Sequence, residues 1–526
     1  VYAKGNWYTT MIGAAQDGSY HMWDTDVYPG QSSYGNAWGY QNTGDLFVNG
    51  TSTGGWHYTN GLSNRLYTTL GFALDMDSGK AYIAVNGVWG PNATPSSNSM
   101  VSDGTATPAA TGLTGTYRPA IAVNGGTYNW DNLEVNFGQR PFRYVAPEGY
   151  KCWNRTNMPS PNRAGFNASK YFKSMVWAGT GVNNTPIDIG FQPDFIWIKC
   201  RQPDALSSLV VDSVRGNDSL LSTDDASNNG NSSNFIRSFE TYGFKLGTNA
   251  RVNASASSRT YAAWCLKAGG NSNTYNVDGV GYSTASAAGL DGGTHTGMTG
   301  ASVGTKQGFS IIKYDGTSTN STLAHGLSQT PELMMIKNYD DIQSWVVYNK
   351  DLDNPGTKVL NLGQNGSGNN YSAIFNNTVP TSSVLTVGTD AYSNSSSFKY
   401  IAYIFHSVDG FSKIGNYIGN GNAAGPVIYT EFKPAFVMIK RIEANTSGDW
   451  FIYDSARYPT NPSEKILRAN TNAVESGTGN DIDLLSNGFK IRNSVADVNT
   501  GGNEYIYMAF AEAPTNAGFG AVTNAR

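Results

Sequence analysis

Gly190-Phe191-Gln192-Pro193-Asp194-Phe195-Ile196-Trp197-Ile198-Lys199 decides the fold, because the chain repeats it. It returns as Ser328-Gln329-Thr330-Pro331-Glu332-Leu333-Met334-Met335-Ile336-Lys337 and as Glu431-Phe432-Lys433-Pro434-Ala435-Phe436-Val437-Met438-Ile439-Lys440. Each copy runs proline, one small or acidic residue, four apolar residues and a lysine. Proline pushes its predecessor into extended conformation, and a short unbroken apolar run reads as a strand covered on both faces. The lysine then marks where the strand leaves the core. Trp197, inside the run, reads as core and not as a ligand platform.

The flanking sequence repeats in step. Repeat one, 168–268, has Lys170-Tyr171-Phe172, a strand to Trp177, Gly179-Thr180-Gly181, the Pro193 strand, Leu209-Val210-Val211-Asp212, Gly243-Phe244-Lys245-Leu246 and a closing Tyr261-Ala262-Ala263-Trp264-Cys265-Leu266. Repeat two, 306–407, keeps that order through Gly308-Phe309, Trp345-Val346-Val347-Tyr348 and Tyr400-Ile401-Ala402-Tyr403. Repeat three, 408–513 with a tail to residue 526, keeps it through Gly410-Phe411, Trp450-Phe451-Ile452-Tyr453 and Tyr505-Ile506-Tyr507-Met508. The prolines lie about 140 and then about 105 residues apart, and the closing tyrosines keep both intervals. The surplus, 269–305, is rich in glycine and serine and is predicted to be a linker or surface loop. Units of this size exceed solenoid repeats, so separate β-sandwiches packed end to end are expected.

Only 14% of residues are charged while 12% are aromatic, and Gly, Ser, Thr and Asn abound. Polar, turn-rich sequence with aromatic and β-branched strands predicts an all-β protein. A net charge of −4 without a basic cluster argues against nucleic acid as partner. No apolar run reaches membrane-spanning length, so no membrane insertion is expected. Cys152, Cys200 and Cys265 are too widely spaced for a zinc site or a disulfide framework, and buried free thiols are expected; Cys200 and Cys265 both close apolar strands and could be neighbours. Val1 is not an initiator residue, so the natural polypeptide is expected to continue upstream.

Residues 1–150 form a different unit. Asp77-Ser78-Gly79-Lys80 is turn chemistry between two alternating strands, and Asn86-Gly87 is a second tight turn needing positive φ. The Leu74-Asp75-Met76-Asp77-Ser78-Gly79-Lys80 hairpin, Asn86-Gly87-Val88-Trp89, Tyr117-Arg118-Pro119-Ala120 and Val135-Asn136-Phe137-Gly138-Gln139-Arg140-Pro141-Phe142 together resemble a SPRY domain. That resemblance implies a bent antiparallel sandwich of jelly-roll type that binds partners through loops and does no catalysis. The Ser-, Asn- and Thr-rich insert at 91–111 lengthens one loop and would remodel any such surface. Asn154-Arg155-Thr156-Asn157-Met158-Pro159-Ser160-Pro161 then reads as a linker.

The rest also resembles a known group. Asn157-Met158-Pro159 after Gly149-Tyr150-Lys151, the Pro193 strand, Asp212-Ser213-Val214-Arg215-Gly216, Ala262-Ala263-Trp264-Cys265-Leu266-Lys267, His325-Gly326-Leu327-Ser328-Gln329-Thr330-Pro331 and Leu485-Ser486-Asn487-Gly488-Phe489-Lys490 are similar to the repeat domains of tailed-bacteriophage virion proteins, especially from phages of marine bacteria. In that group a SPRY-like domain often precedes the same repeats, and Asn524-Ala525-Arg526 resembles its C-terminus. The resemblance implies a string of β-sandwiches on the virion surface, a homotrimer, attachment to other virion proteins through an upstream region, and a host glycan or host protein as partner.

Catalysis needs a nucleophile with a base, a carboxylate pair or a metal cluster. His21, His57, His295, His325 and His406 are isolated along the chain and read as structural or solvated. Asp75 and Asp77 alternate as a glycosidase pair would, yet turn capping by Asp77 with a solvent-facing Asp75 is the plainer reading. Asp224-Asp225 and Asp340-Asp341 sit in polar loops and read as solvated. Asp212-Ser213-Val214-Arg215 and Asp454-Ser455-Ala456-Arg457 recur without a histidine, which favours a turn tied by an Asp–Arg pair over a nucleophilic serine. The Gly-Thr-Gly and Gly-Asn-Gly segments read as hairpin turns, not phosphate loops. No catalytic, metal or cofactor residue is therefore assigned, and no binding residue is singled out. The Tyr-, Trp-, Asn- and Ser-rich loops have the composition of recognition surfaces, with aromatic platforms for sugar faces and amides for hydroxyls. The expectation is a non-enzymatic phage virion structural protein, a tail fibre facing the host. A capsid decoration or head-fibre protein and a polysaccharide depolymerase are the alternatives, and 269–305 and 91–111 are the first places to look for function.

Overall fold

Side chains alternate across a strand, so a run of four apolar residues must find cover on both sides. The three proline strands, Phe195–Gln202, Leu333–Asn338 and Pro434–Arg441, do so in the same way. The computed structural model describes residues 167–511 except 228–229 and 444–446, together with 516–517, 521–522 and, nearer the N-terminus, 2–3, 10–16, 37–41, 45–48, 51–55, 68–90, 106–114, 117–123, 133–134, 136, 142–144, 146–147 and 150. The predicted linker at 154–161, Cys152, His21, His57 and the C-terminal Asn524-Ala525-Arg526 lie outside the described residues. The chain divides into two compact units, Val1–Pro159 and Ser160–Arg526.

In the first unit two five-stranded sheets, with every described pairing antiparallel, enclose Trp38, Tyr40, Leu46, Leu70 and Ile83. Thr68–Asp75 pairs with Lys80–Val85 across the expected turn, where Gly79 takes φ +64°. Asn86 and Gly87 have φ 52° and 83°, the left-handed pair a tight turn demands. The Asn86 side chain also accepts the Thr69 N–H, clamping the turn to the neighbouring strand. Of the insert at 91–111 only its last residues are described. Ala106, Ala109 and Ala110 there are buried, and the backbones of Ala109 and Ala110 bond Ala81, so this end of the insert is core and not a free loop.

In the second unit each repeat builds the same sheet. An opening strand pairs with the closing strand, which pairs with the proline strand, which pairs with the next strand. In repeat one these are Phe172–Ala178, Thr260–Leu266, Phe195–Gln202 and Leu209–Asp212. Repeats two and three embed that order in sheets of nine and eight strands. Except for one parallel pair, Tyr275–Val277 with Met298–Gly304, the described pairings of this unit are antiparallel. Beyond Gly179-Thr180-Gly181 the chain passes to another sheet, pairing Thr185–Asp188 with Gly243–Leu246, and beyond Gly419-Asn420-Gly421 it passes to the opposite edge of the eight-stranded sheet, pairing Val427–Tyr429 with Gly488–Ile491. These segments are therefore crossovers between the two layers of a sandwich, where hairpin turns were expected.

The segment 269–305 also differs from expectation. Tyr275–Val277, Val280–Tyr282 and Met298–Gly304 join the edge of the repeat-two sheet, and Ala301, Ser302 and Val303 are fully buried. Tyr275, Leu290 and Val303 belong to the repeat-two core. Glycine content signalled flexibility here, but Gly269 packs so tightly that an added Cβ would lie 2.4 Å from the Asn276 carbonyl oxygen. Gly281, Gly293, Gly297 and Gly304 are packed as closely, while Gly279 and Gly289 take the positive φ of turns, so the glycines build a folded segment and not a linker.

The all-β class and the antiparallel sandwiches are as expected; what differs is how the repeats meet. Ile196, Ile198 and Cys200 face the interior of repeat one, as Met334 and Ile336 face that of repeat two. The alternate residues Phe195, Trp197, Leu333, Met335, Phe436 and Met438 all enter one core common to the three repeats. Phe510 marks its centre, stacked on Phe172 at 4.8 Å and lying 6.3 Å from Phe405 and 6.0 Å from Phe436. Instead of touching only at their ends, the repeats pack side by side around shared aromatics. A sheet with two apolar faces cannot leave either in water, so the second face of each repeat drives this association.

Cys200 and Cys265 are buried free thiols. Cys265 sits opposite Ile196 and Cys200 opposite Tyr261, so four residues of strand separate them, well beyond disulfide reach.

Candidate functional site

The sequence candidates for chemistry converge on the seams between repeats. Asp212 and Arg215 form a buried ion pair at 2.6 Å, and Asp454 and Arg457 another at 2.5 Å. Each Asp also holds the turn behind it: Asp212 accepts from the Val214 and Arg215 backbones, and Asp454 from that of Arg457. Ser213 bonds Asp194 instead of a base, as a structural turn requires. The second oxygen of each Asp reaches across a seam. Tyr403 of repeat two donates to Asp212 of repeat one at 2.7 Å, and Trp264 of repeat one donates to Asp454 of repeat three at 2.9 Å.

Register assigns the third position. Leu333 pairs with both Asn349 and Phe405, as Phe195 pairs with Asp212 and Leu266, so Asn349 stands where the aspartates do. Met508 occupies the donor position of Trp264 and Tyr403. Methionine cannot donate, and here the carboxylate is also replaced by a neutral amide whose Nδ2 finds no hydrogen-bond partner among the described residues. Donor and charge differ together, so the position of the two aspartates holds no carboxylate deprived of its cross-seam donor.

The three lysines repeat this circular pattern. Lys199 of repeat one donates to the Thr471 carbonyl of repeat three, Lys337 of repeat two to Ala226 of repeat one at 3.2 Å, and Lys440 of repeat three to Asn365 of repeat two at 3.1 Å. All three are fully buried, so they do not mark an exit from the core as expected; they lock each strand end to the next repeat. Tryptophans add a further layer: Trp345 donates to Ser222 and Trp450 to Asn361, while Thr223 carries the corresponding bond to Ala469. Arg201 and Glu475 form a further ion pair between repeats one and three, 2.8 Å long. Every seam runs head to tail, and three of them close into a ring.

Burial drives each of these lysines down to about 8 from an ordinary 10.5. Between those values the unfolded chain still binds protons that the folded chain has released, so folding stability rises with pH across that window. Above pH 10 the buried Tyr314, Tyr403 and Tyr417 act oppositely, because burial raises their hydroxyls and the unfolded chain ionises first. Urea unfolding at stepped pH is expected to show stability climbing above pH 8 and turning over near about 10, with a smaller climb in Lys337→Met.

The remaining candidates are structural. Asp75, not Asp77, caps its turn, accepting from the Asp77 and Ser78 backbones at 3.0 and 3.1 Å and from the Ser78 hydroxyl. The Ser78 hydrogen bond holds its carboxyl below the usual range. Asp224 is half-buried and accepts from the Ser208 backbone and hydroxyl, so it is not simply solvated. His325 is wholly buried, its Nδ1 accepting from Leu327 and its Nε2 facing the Thr381 carbonyl at 3.1 Å. Burial lowers it to about 4, which makes it a neutral core residue at ordinary pH. His295 accepts from Gly297 and meets Asn394, and His406 faces the Ser407 carbonyl. Among the described residues no group of three His, Cys, Asp or Glu could hold a metal ion.

One repeated device carried no mark in the sequence reading. Asn253, Asn394 and Asn499 are fully buried, and each ties the crossover to the loop before the closing strand. Asn394 accepts the Thr317 N–H at 2.8 Å and donates to Thr319 and Gly388; Asn253 does the same with Thr180, Val182 and Gly247. The closing tyrosine completes the device, Tyr400 accepting from Ser395 and donating to Ala391. Asn394→Ala orphans the buried Gly388 carbonyl and removes the partners of the half-buried Thr317 N–H and the exposed Thr319 carbonyl, and is expected to cost roughly 1–3 kcal/mol in urea unfolding.

Comparison with known proteins finds a family model, described as a domain of unknown function (DUF7483), that matches residues 167–514. No curated protein and no solved structure matches the chain.

Proposed function

Because the chain belongs to the DUF7483 family, we propose from its own geometry that it is a non-enzymatic display protein of a tailed-phage virion, a tail fibre turned toward the host surface. The observation that carries this reading is the division of labour within the repeats. The proline strands, seam lysines and crossover asparagines are held in common and buried, while the loops between them differ in length and composition. A scaffold that buries its repeated ionisable groups in internal seams and varies chiefly in its surface loops suits recognition better than chemistry. Repeated weak surface sites on one rigid body would also gain from avidity.

The test uses the purified chain, intact phage carrying it and a bacterium that the phage adsorbs to. Saturable binding of the chain to those cells, with labelled antibody decorating tails, is the expected result. Failure to bind cells that adsorb intact phage overturns the display role. Antibody on heads moves the protein to the capsid, and cleavage of host polysaccharide by the chain returns the depolymerase reading.

A further inference from the structure

After Lys358–Asn361 in repeat two the chain turns back through Asn369–Asn370 into a single helical turn, Ser372–Phe375. Between them lies a cleft of about 130 Å³. Leu360 and Ile374 supply an apolar floor, while Gln364, Asn369 and Tyr371 stand at the rim. Tyr371 is 46% exposed, a large fraction for an aromatic residue, and its ring centroid lies 6.5 Å from that of Tyr392. None of the lining side chains carries a charge.

We propose that this cleft binds a neutral sugar residue of a surface polysaccharide. A pyranose offers an apolar ring face and a rim of hydroxyls that both donate and accept. Tyrosine rings match the face, and carboxamides, which also donate and accept, match the rim. A phosphate or uronate would instead ask for a free cation, and Lys358, which reaches Gly368 at the cleft, is already paired with Asp353 at 2.8 Å. The wall is held in advance: the Asn365 carbonyl accepts from Lys440 at 3.1 Å and from the Gly448 backbone at 2.9 Å, and the Asn361 carbonyl accepts from Trp450 at 3.0 Å. Repeat three thus fixes the loop of repeat two from beneath, which lowers the ordering cost of binding. At Gly368 (φ +97°) the chain passes so close to Val359 that a Cβ would stand 2.8 Å from its carbonyl oxygen. Gly366 is different: a Cβ there meets no atom within 4 Å, so a larger side chain can be added at the cleft without displacing the fold.

The assignment rests on the display role for the source of the sugar, and the experiment separates the two. The full chain is titrated with neutral trisaccharides of glucose, galactose, mannose and N-acetylglucosamine, and with a trigalacturonate control, by saturation-transfer NMR. At least one neutral trisaccharide is expected to bind, with transfer strongest to ring-face protons and none to the trigalacturonate. Tyr371→Ala and Gly366→Val are each expected to weaken that binding about five- to tenfold while leaving the melting temperature unchanged. Absence of binding by every neutral trisaccharide, or binding untouched by both folded variants, overturns the site. Cell binding that survives both variants also counts against this cleft as the receptor site while leaving the display role standing. Trisaccharide binding by a chain that does not bind cells supports the site and defeats the display role.

Discussion

Asp454→Ala is expected to destabilise the unit at 160–526 by about 3–5 kcal/mol, read as a lower urea midpoint. Arg457, wholly buried, would keep Glu475 and the Ile452 carbonyl but lose its 2.5 Å partner, and the Trp264 N–H would lose its acceptor. The large figure comes from leaving a desolvated cation under-paired, not from the worth of the pair itself. Joint replacement by apolar residues, Asp454→Leu with Arg457→Met, is therefore expected to cost far less than the single change. Equal losses in the single and the double variant would show that the pair contributes mainly by its shape.

Phe510→Ala is expected to cost about 3–5 kcal/mol as well, by opening a cavity where rings from all three repeats meet. Its sharper consequence concerns cooperativity. Because Phe172, Phe405 and Phe436 all pack against this ring, loss should lower the midpoints of all three repeats together. Hydrogen exchange read peptide by peptide would register this as a parallel loss of protection in the strands Thr260–Leu266, Lys399–Phe405 and Glu504–Ala511. Protection lost in repeat three alone would contradict a shared core.

The proline strand was legible because four consecutive apolar residues leave little choice about burial. The same feature hid the assembly. When both faces are apolar, nothing in the pattern says which face meets the repeat's own second sheet and which meets another repeat. The Asp-Ser-x-Arg turn was readable as a local ion pair, since its partners are three residues apart. Its outward bond was not, because Tyr403 lies 191 residues from Asp212. Lys199, Lys337 and Lys440 were misplaced for a related reason: a lysine ending an apolar run ordinarily reaches water, and only the neighbouring carbonyls make burial tolerable. The crossover asparagines left a faint signal, an Asn six or eight residues before each closing tyrosine. That offset varies between copies, and polar loops crowded with asparagine concealed it. In 269–305 composition misled outright, since glycine chosen for close approach looks the same as glycine chosen for freedom.

The altered third seam has a consequence for how such a protein can change. Three identical subunits would be bound to carry the same residues at every contact, so a substitution would be felt three times at once. Here the chain writes each contact separately, and the third carries Asn349 and Met508 at the positions that hold an aspartate and a donor in the other two. Joining the repeats covalently has turned a self-repeating contact into three inheritable ones. Each outward loop set is likewise free to diverge without the other two, and the ring forms at any concentration because its partners are already tethered.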